Sequence, residues 1–487
     1  MEAFLHPLQG LAEFEEIKKR CGANCGILNV SGCMESQKVH LMYGLSGLFP
    51  CHLILADDER NAKEIYEDYR FYDKNVYFYP AKDLLFFQAD IHGNLLIRQR
   101  MRVIRALLEQ EEVTVVTSID GCMDFLMPLE KIRSRLLHFK SDSVIDLDQL
   151  KEELVELGYE RTGQVELPGQ FSVRGGIIDI YPLTEDNPWR IELWDDEVDS
   201  IRSFDAESQR SLENVDEITI YPAAEKMDGE DMVSFLDYFP EEKTLVFLDE
   251  LNHLAENGEG VEEEYRQSRM HREEKGEANL PEQWLCGFQE LQKKLNRRNC
   301  VAVSALSPRR SGWKINEEFD LTVKSVDSYN SSFELLVKDL LQYKSQGYRI
   351  ALLSGSRTRA ERLAKDLSEE GLNAFYSQDM DRIISPGEIM VVYGHARRGF
   401  QYPLIKFAVM TETDIFGKEQ KKRKKKKKYS GNRIQDFAEL SVGDLVVHEK
   451  HGLGIYRGIE KVEVDRVVKD YIKIEYRGGS NLYILAT

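Results

Sequence analysis

Over residues 1–128 the apolar positions fall into short unbroken runs separated by amphipathic stretches. The runs predict strands at Gly26–Val30, His52–Leu55, Val76–Tyr79 and Val113–Thr117. The stretches between them predict helices from Asn61 to Tyr72 and from Leu95 to Glu111. Strands that alternate with helices in this way predict a doubly wound parallel sheet.

Near residue 129 the pattern changes. After a helix predicted over Leu147–Leu157 come QFSVRGGIIDIYP and WRIELWDDEVDSI, where apolar and polar residues alternate. Phe171 and Val173 lead into a Gly175-Gly176 turn, and Ile178 and Ile180 continue on the return strand, which predicts a small inserted antiparallel sheet. From about 222 the α/β pattern resumes, with strands predicted at Leu245–Leu248 and Ala302–Ala305. The acidic, glycine-containing stretch 256–278 has no clear period and reads as a mobile loop. Residues 331–415 read as a further small α/β unit, built on helix Phe333–Lys344, strand Arg349–Leu353 and helix Ser356–Glu370. Its RIALLSGSRTRAERLAKDLSEEG loosely echoes HLILADDERNAKEIYEDYR at 52–70, which shared α/β grammar explains without a repeat. From Glu439 the pattern is all β: DLVVH, GIYRGIEKVEV, VKDYIKIEY and NLYIL suggest an SH3-like barrel. The chain stops two residues after the last of these runs, which reads as a piece of something longer.

Size and composition narrow the class. At 487 residues the chain predicts three to five domains. With 42% apolar and 31% charged residues it is globular rather than disordered. No apolar run approaches the ~18 residues of a membrane span. The start, MEAFLHPLQGLAEFEEIKKR, reads as an acidic amphipathic helix rather than a signal peptide, so a cytoplasmic protein is expected. A monomer is expected as well. The seven cysteines (21, 25, 33, 51, 122, 286 and 300) form no even framework, and no second Cys/His pair completes a metal site with Cys21 and Cys25. Reduced thiols are expected. The net charge of −20 is uneven: KEQKKRKKKKK at 418–428 holds nine basic residues and one acid, leaving −28 for the rest. So acidic a body does not coat DNA, and any nucleic-acid contact has to be local. Lys421–Lys428, with no aromatic or glycine interleaved, reads as a solvated linker or as a modest nonspecific contact to DNA.

Candidate chemistry starts with NVSGCMESQKVHL at 29–41, a strand, a small-residue turn and a helix, as in a phosphate-binding loop. A working loop needs a lysine on the β/γ phosphates and a hydroxyl on Mg²⁺. Gly32 and Ser36 fit that pattern, but Glu35 stands in the lysine position and Lys38 comes too late. Placing an acid there turns an attraction of about 4 kcal/mol into a repulsion of similar size at an effective dielectric near 20. The loop reads as a degenerate nucleotide site. Leu245-Val-Phe-Leu-Asp249-Glu250 looks like a Walker B strand and reads as the other half of the same relic. A live NTPase using both is the competing reading. Arg161 and Arg174, on or beside the small sheet, are either ordinary surface arginines or docking contacts. His448 and His451 read as turn residues. No catalytic triad, paired-carboxylate site or metal set stands out.

Two stretches carry a family resemblance. "LPGQFSVRGGIIDIYPL…WRIELWDDEVDSIRSFDAESQRS" resembles the segment shared by the excision-repair protein UvrB and the bacterial transcription-repair coupling factor. "VGDLVVHEKHGLGIYRGIEKVEV…KDYIKIEYRGGSNLYIL" resembles the RNA-polymerase-interacting domain of the coupling factor, also found in CarD-type regulators. UvrB has no such domain and keeps an intact P-loop. It also has a long DNA-clamping hairpin, for which YPAKDLLFFQADIHGN leaves no room, so the coupling factor is the better match. The resemblance implies a UvrB-like α/β domain at 1–128, an inserted UvrA-binding domain at 129–221 and α/β domain 1b at 222–330. It further implies a small α/β domain at 331–415, a basic linker at 416–440 and a truncated polymerase-binding domain at 441–487. It also implies that ATP and Mg²⁺ are used by a superfamily 2 translocase motor that is absent here, so this chain would hold no cofactor. UvrA would dock on Arg161, Phe171, Arg174 and Tyr181. The RNA polymerase β subunit would pair with the edge strand Ile459–Val464, centred on Val462. DNA would be contacted mainly through the motor.

Overall fold

The computed structural model describes residues 1–22, 25–82, 94–224, 232–275, 285–308, 312–417, 441–448, 452–464, 467–475 and 481–485. The run Lys421–Lys428, His451 and most of YPAKDLLFFQADIHGN lie outside the described residues.

The N-terminal helices α1 (Glu2–Leu8) and α2 (Ala12–Cys21) precede β1 (Ile27–Ser31), α3 (Glu35–Ser46), β2 (Cys51–Ala56), α4 (Glu59–Tyr72), β3 (Val76–Tyr79), α5 (Asn94–Glu109) and β4 (Val113–Ser118). The inserted region contributes α6 (Leu147–Glu156), β5 (Glu160–Arg161), β6 (Gln170–Arg174), β7 (Ile177–Ile180), β8 (Trp189–Trp194), β9 (Glu197–Phe204) and β10 (Ser211–Val215). Then come β11 (Thr244–Asp249), α7 (Leu251–Lys275), β12 (Cys300–Val303) and β13 (Ile315–Asp320). Strands from both sides of the insertion form one seven-stranded sheet in the order β13-β1-β12-β11-β2-β4-β3. All its pairings are parallel, as the alternation of strands and helices predicts.

The stretch 256–278 is not a loop in its described part, because α7 runs through it to Lys275. Its apolar period is weak, and the helix is held instead by side-chain pairs one turn apart, such as Arg266–Glu263 at 2.5 Å and Arg269–Glu273 at 3.4 Å. Leu254, fully buried, anchors its first turns. The strand expected at Ala302–Ala305 lies two residues earlier, at Cys300–Val303.

A second sheet with a parallel centre is built from β14 (Lys324–Ser325), α8 (Phe333–Ser345), β15 (Arg349–Ser354), α9 (Arg357–Glu369), β16 (Asn373–Tyr376), β17 (Glu388–Tyr393), β18 (Phe400–Tyr402) and β19 (Phe407–Thr411). Its order is β14-β18-β19-β15-β17-β16. One continuous core joins it to the first sheet. Val30, Ile54 and Phe247 from the first sheet, Leu353, Val392 and Phe407 from the second, and Phe4, Val39 and Tyr69 from the intervening helices all belong to it. Helix α3 is therefore buried along most of its length, polar residues included. His40 shows how such polarity is satisfied. Its Nε2 donates to the Phe4 carbonyl (3.0 Å), so Nδ1 accepts from the Tyr402 hydroxyl (3.1 Å). Burial lowers its pKa to about 4.

In the inserted sheet, in the order β10-β9-β8-β7-β6-β5, Phe171, Ile178, Ile180, Ile191 and Ile201 pack with Leu150 and Leu154 of α6. The last four strands, β20 (Leu445–His448), β21 (Gly452–Val464), β22 (Val467–Glu475) and β23 (Asn481–Leu485), form an antiparallel sheet in sequence order. All seven cysteines are free, as expected. No helix among the described residues is long and apolar enough to cross a membrane.

Candidate functional site

The degenerate loop sits where strand β1 ends. Gly32 has φ +77°, and a Cβ there would lie 2.1 Å from the Leu321 carbonyl oxygen, so the turn requires glycine. Helix α3 follows at Glu35 and carries Ser36 and Lys38 inward. Lys38, which sequence spacing sets aside as too late, is the centre of the site. Its ammonium lies 2.6 Å from Asp249 Oδ1 and 2.6 Å from Glu250 Oε1. Burial pulls its pKa down, but the two carboxylates outweigh that and hold it above the ordinary lysine value. Asn61 donates to Asp249 Oδ2 (2.7 Å), and the Ala305 amide donates to Glu250 Oε1 (2.8 Å). Glu250 adopts φ +56°, a left-handed conformation that a non-glycine residue takes at a cost, and its carboxylate is held over Lys38. One ammonium from within the chain is thus shared between Asp249 and Glu250.

The other side of the cradle is closed by the segment between β17 and β18. Ser36 Oγ donates to Asp68 (2.7 Å) and accepts from the Arg398 amide (3.1 Å). Arg397 donates to Asp68 through its amide (3.0 Å) and Nε (3.1 Å), and it pairs with Glu64. Arg398 Nε lies 3.7 Å from Glu35. A cavity of about 290 Å³ remains, lined by Glu35, Lys38, Asn61, Asp249, Glu250 and Arg397 among others. Burial pushes the thiol of Cys33, at its wall, up to about 12. The sequence signal for this arrangement was a lysine on a buried helix with two Walker B acids in need of a counter-charge.

The residues read from the small sheet are split by the fold. Arg161 is exposed and Arg174 half-exposed, its guanidinium 2.6 Å from Asp179. Phe171 is not on the surface: its side chain is fully buried among the residues packed on α6. Tyr181 is buried as well, its hydroxyl donating to the Asp186 carbonyl at 2.7 Å. Alternation puts Phe171 inward, whereas Ser172, Arg174, Asp179 and Arg190 share the opposite face. There Arg190 grips Asp179 with two bonds (2.6 and 2.9 Å) and Arg202 pairs with Glu192. Sequence reasoning passed over Trp194, 80% exposed at the end of β8. It also passed over a row of arginines on α5: Arg98 and Arg102 both reach Asp186 at 2.6 Å, and Arg105 pairs with Glu185. Those pairs tie the inserted region to the first sheet.

In the C-terminal sheet, β21 pairs with β20 only over Gly452–Ile455 and with β22 as far as Val464. Ile459 faces Ile472, Val462 faces Lys469 and Val464 faces Val467. Among the described residues, Ile459–Val464 is therefore paired on one side only, and Ile459 is exposed. Among the described residues no cluster of His, Cys, Asp and Glu could hold a metal ion.

Comparison with known proteins adds to this geometry. Residues 137–225 match the UvrB interaction domain, and residues 440–486 match the CarD-like/TRCF RID domain. The class is a chain that joins these two modules around parallel α/β sheets. Over 93% of its length the chain is 29% identical to Transcription-repair-coupling factor of Bacillus subtilis (strain 168), of which it spans 45%. The proteins of the same name from Staphylococcus aureus (strain MRSA252) and Staphylococcus epidermidis (strain ATCC 12228 / FDA PCI 1200) are 27% and 28% identical over 84% and 85% of the chain, and it spans 40% of each. The resemblance read from the sequence therefore stands: the chain is similar to transcription-repair coupling factors over most of its length. It spans less than half the length of these relatives.

Proposed function

We propose that this chain is the recruiting half of a transcription-repair coupling factor, acting in transcription-coupled nucleotide excision repair. It would bind UvrA through the inserted sheet and RNA polymerase through the C-terminal sheet. The observation that carries this reading is the presence of both matched modules on one chain, and the pairing of Lys38 with Asp249 and Glu250 supports it. The whole protein would recognise polymerase stalled at a DNA lesion and displace it by ATP-driven translocation. That chemistry would belong to a motor domain of the whole protein. This chain would turn over no nucleotide and act as a cytoplasmic monomer, its four C-terminal strands forming part of an SH3-like barrel.

Within the inserted sheet, Arg161 and Arg174 would touch UvrA directly, because arginines at an exposed sheet edge suit interface hot spots. Phe171 and Tyr181 would act by holding β6 and the segment after β7 in place. In the C-terminal sheet, the half-paired segment Ile459–Val464, centred on Val462, would add a strand of the polymerase β subunit by backbone hydrogen bonding. Arg174→Ala should weaken capture of UvrA severalfold with the melting temperature unchanged. Val462→Arg should abolish capture of the β subunit. Wild-type capture by either variant would overturn its assignment. Titration with Mg-ATP tests the competing NTPase: binding tighter than ~100 μM (about −5.5 kcal/mol) and lost in Asp249→Ala would replace this reading.

A further inference from the structure

In a working NTPase, the loop lysine and an arginine supplied from another element hold the nucleotide phosphates, while the serine or threonine at the start of the loop helix and the Walker B acid hold the metal ion. Here each position is filled by a side chain. Lys38 puts a positive charge on Asp249 and Glu250. Asp68, hydrogen-bonded to Ser36, and Glu64 and Glu35 supply negative charge, and Arg397 and Arg398 of the second sheet's β17–β18 segment face it. Burial lowers the pKa of Arg397, but Asp68 and Glu64 more than offset this. The segment is seated closely: a Cβ on Gly394 would lie 2.1 Å from the Phe71 ring of α4. Beneath it, Gln37 donates to the Tyr402 hydroxyl at 3.0 Å, joining the loop helix to β18.

We propose that the cradle is an arginine socket, an intramolecular docking site for residues 394–399, which holds the two sheets together without nucleotide. The ligand class is a guanidinium pair on a short glycine-flanked loop, and the recognising groups are Ser36, Glu64 and Asp68, with Glu35 at the rim. The proposal rests on the geometry of the cradle, independently of which partners the chain recruits.

Hydrogen exchange on the full chain tests it. Arg397→Ala should raise amide exchange roughly tenfold in 394–402 and at the start of α3, while α9 stays within about twofold of wild type. Millimolar Mg-ATP should leave the wild-type pattern unchanged. Should Arg397→Ala fail to fold, Glu64→Gln, which removes one half-exposed partner, should raise exchange in the same segments by roughly threefold. Three results would overturn the socket: exchange unchanged in these segments, a uniform rise that includes α9, or protection of the cradle by Mg-ATP.

Discussion

The two sheets contain the same parallel four-strand arrangement, β11-β2-β4-β3 in the first and β19-β15-β17-β16 in the second. In each, a helix follows the second strand and is capped by a side chain, Asp58 for α4 and Ser356 for α9. In each, an acid follows the first strand of the set: Glu250 after β11 and Glu412 after β19. The crevices differ in how that acid is met. In the first sheet, buried Lys38 sits against Asp249 and Glu250. In the second, Glu412 accepts from Ser354 at 2.5 Å and faces the exposed Arg359 at 3.2 Å. The same topology thus supports a buried, desolvated charge cluster and a surface ion pair. The difference shows in exposure: Lys38 and Asp249 are buried in the first crevice, which Arg397 helps to line, whereas Arg359 in the second meets solvent.

The largest expected effect follows from the buried cluster. Lys38→Met leaves the buried Asp249 without its cation, which should cost about 3–5 kcal/mol in urea unfolding. A loss below about 1 kcal/mol would mean that the two sheets do not differ in this respect.

The core between the sheets gives the next effect, through His40. Its pKa in the folded chain is depressed to about 4, whereas the unfolded chain takes up a proton near the ordinary histidine value of 6.5. Stability should therefore be full above about 6.5 and fall as pH drops toward 4, by roughly 3 kcal/mol in all. His40→Gln should flatten that part of the pH profile.

Gly32→Ala comes third. Strain at φ +77° and the clash with Leu321 should cost on the order of 1–3 kcal/mol by thermal unfolding. Arg359→Ala in the second crevice should cost less than about 1 kcal/mol, because its guanidinium is well exposed. If Arg359→Ala cost as much as Lys38→Met, the contrast would fail.

Much of this was legible in the sequence because burial leaves a one-dimensional trace. Strands such as Cys51–Ala56 and Arg349–Ser354 are buried on both faces and read as unbroken apolar runs. The echo between 52–70 and 349–371 is likewise visible, and the structure gives it matching strand order. Helix α7 was not legible, because ion pairs rather than an apolar stripe hold much of it. Nor was the reach of Lys38. Spacing relative to a motif locates a residue along the helix but says nothing of partners some 200 positions away, and here those partners decide the chemistry. The inward turn of Phe171 is carried by its place in an alternating strand, whereas a resemblance between surfaces does not record which face a side chain takes.

The position of β1 has a consequence in time. Its two neighbours are β12 and β13, so Ile27 pairs with Cys300 and Ile315. On a ribosome adding about 5–20 residues per second, the strand that leads into the cradle waits on the order of 15–60 s for either neighbour. The inserted sheet, paired entirely within 160–215, can form long before that. Nascent chains arrested near residue 240 should then protect the inserted sheet from protease while 25–50 remains cleavable, and chains arrested beyond about 360 should protect both. Protection of 25–50 in the shorter chains would show that β1 finds another partner first.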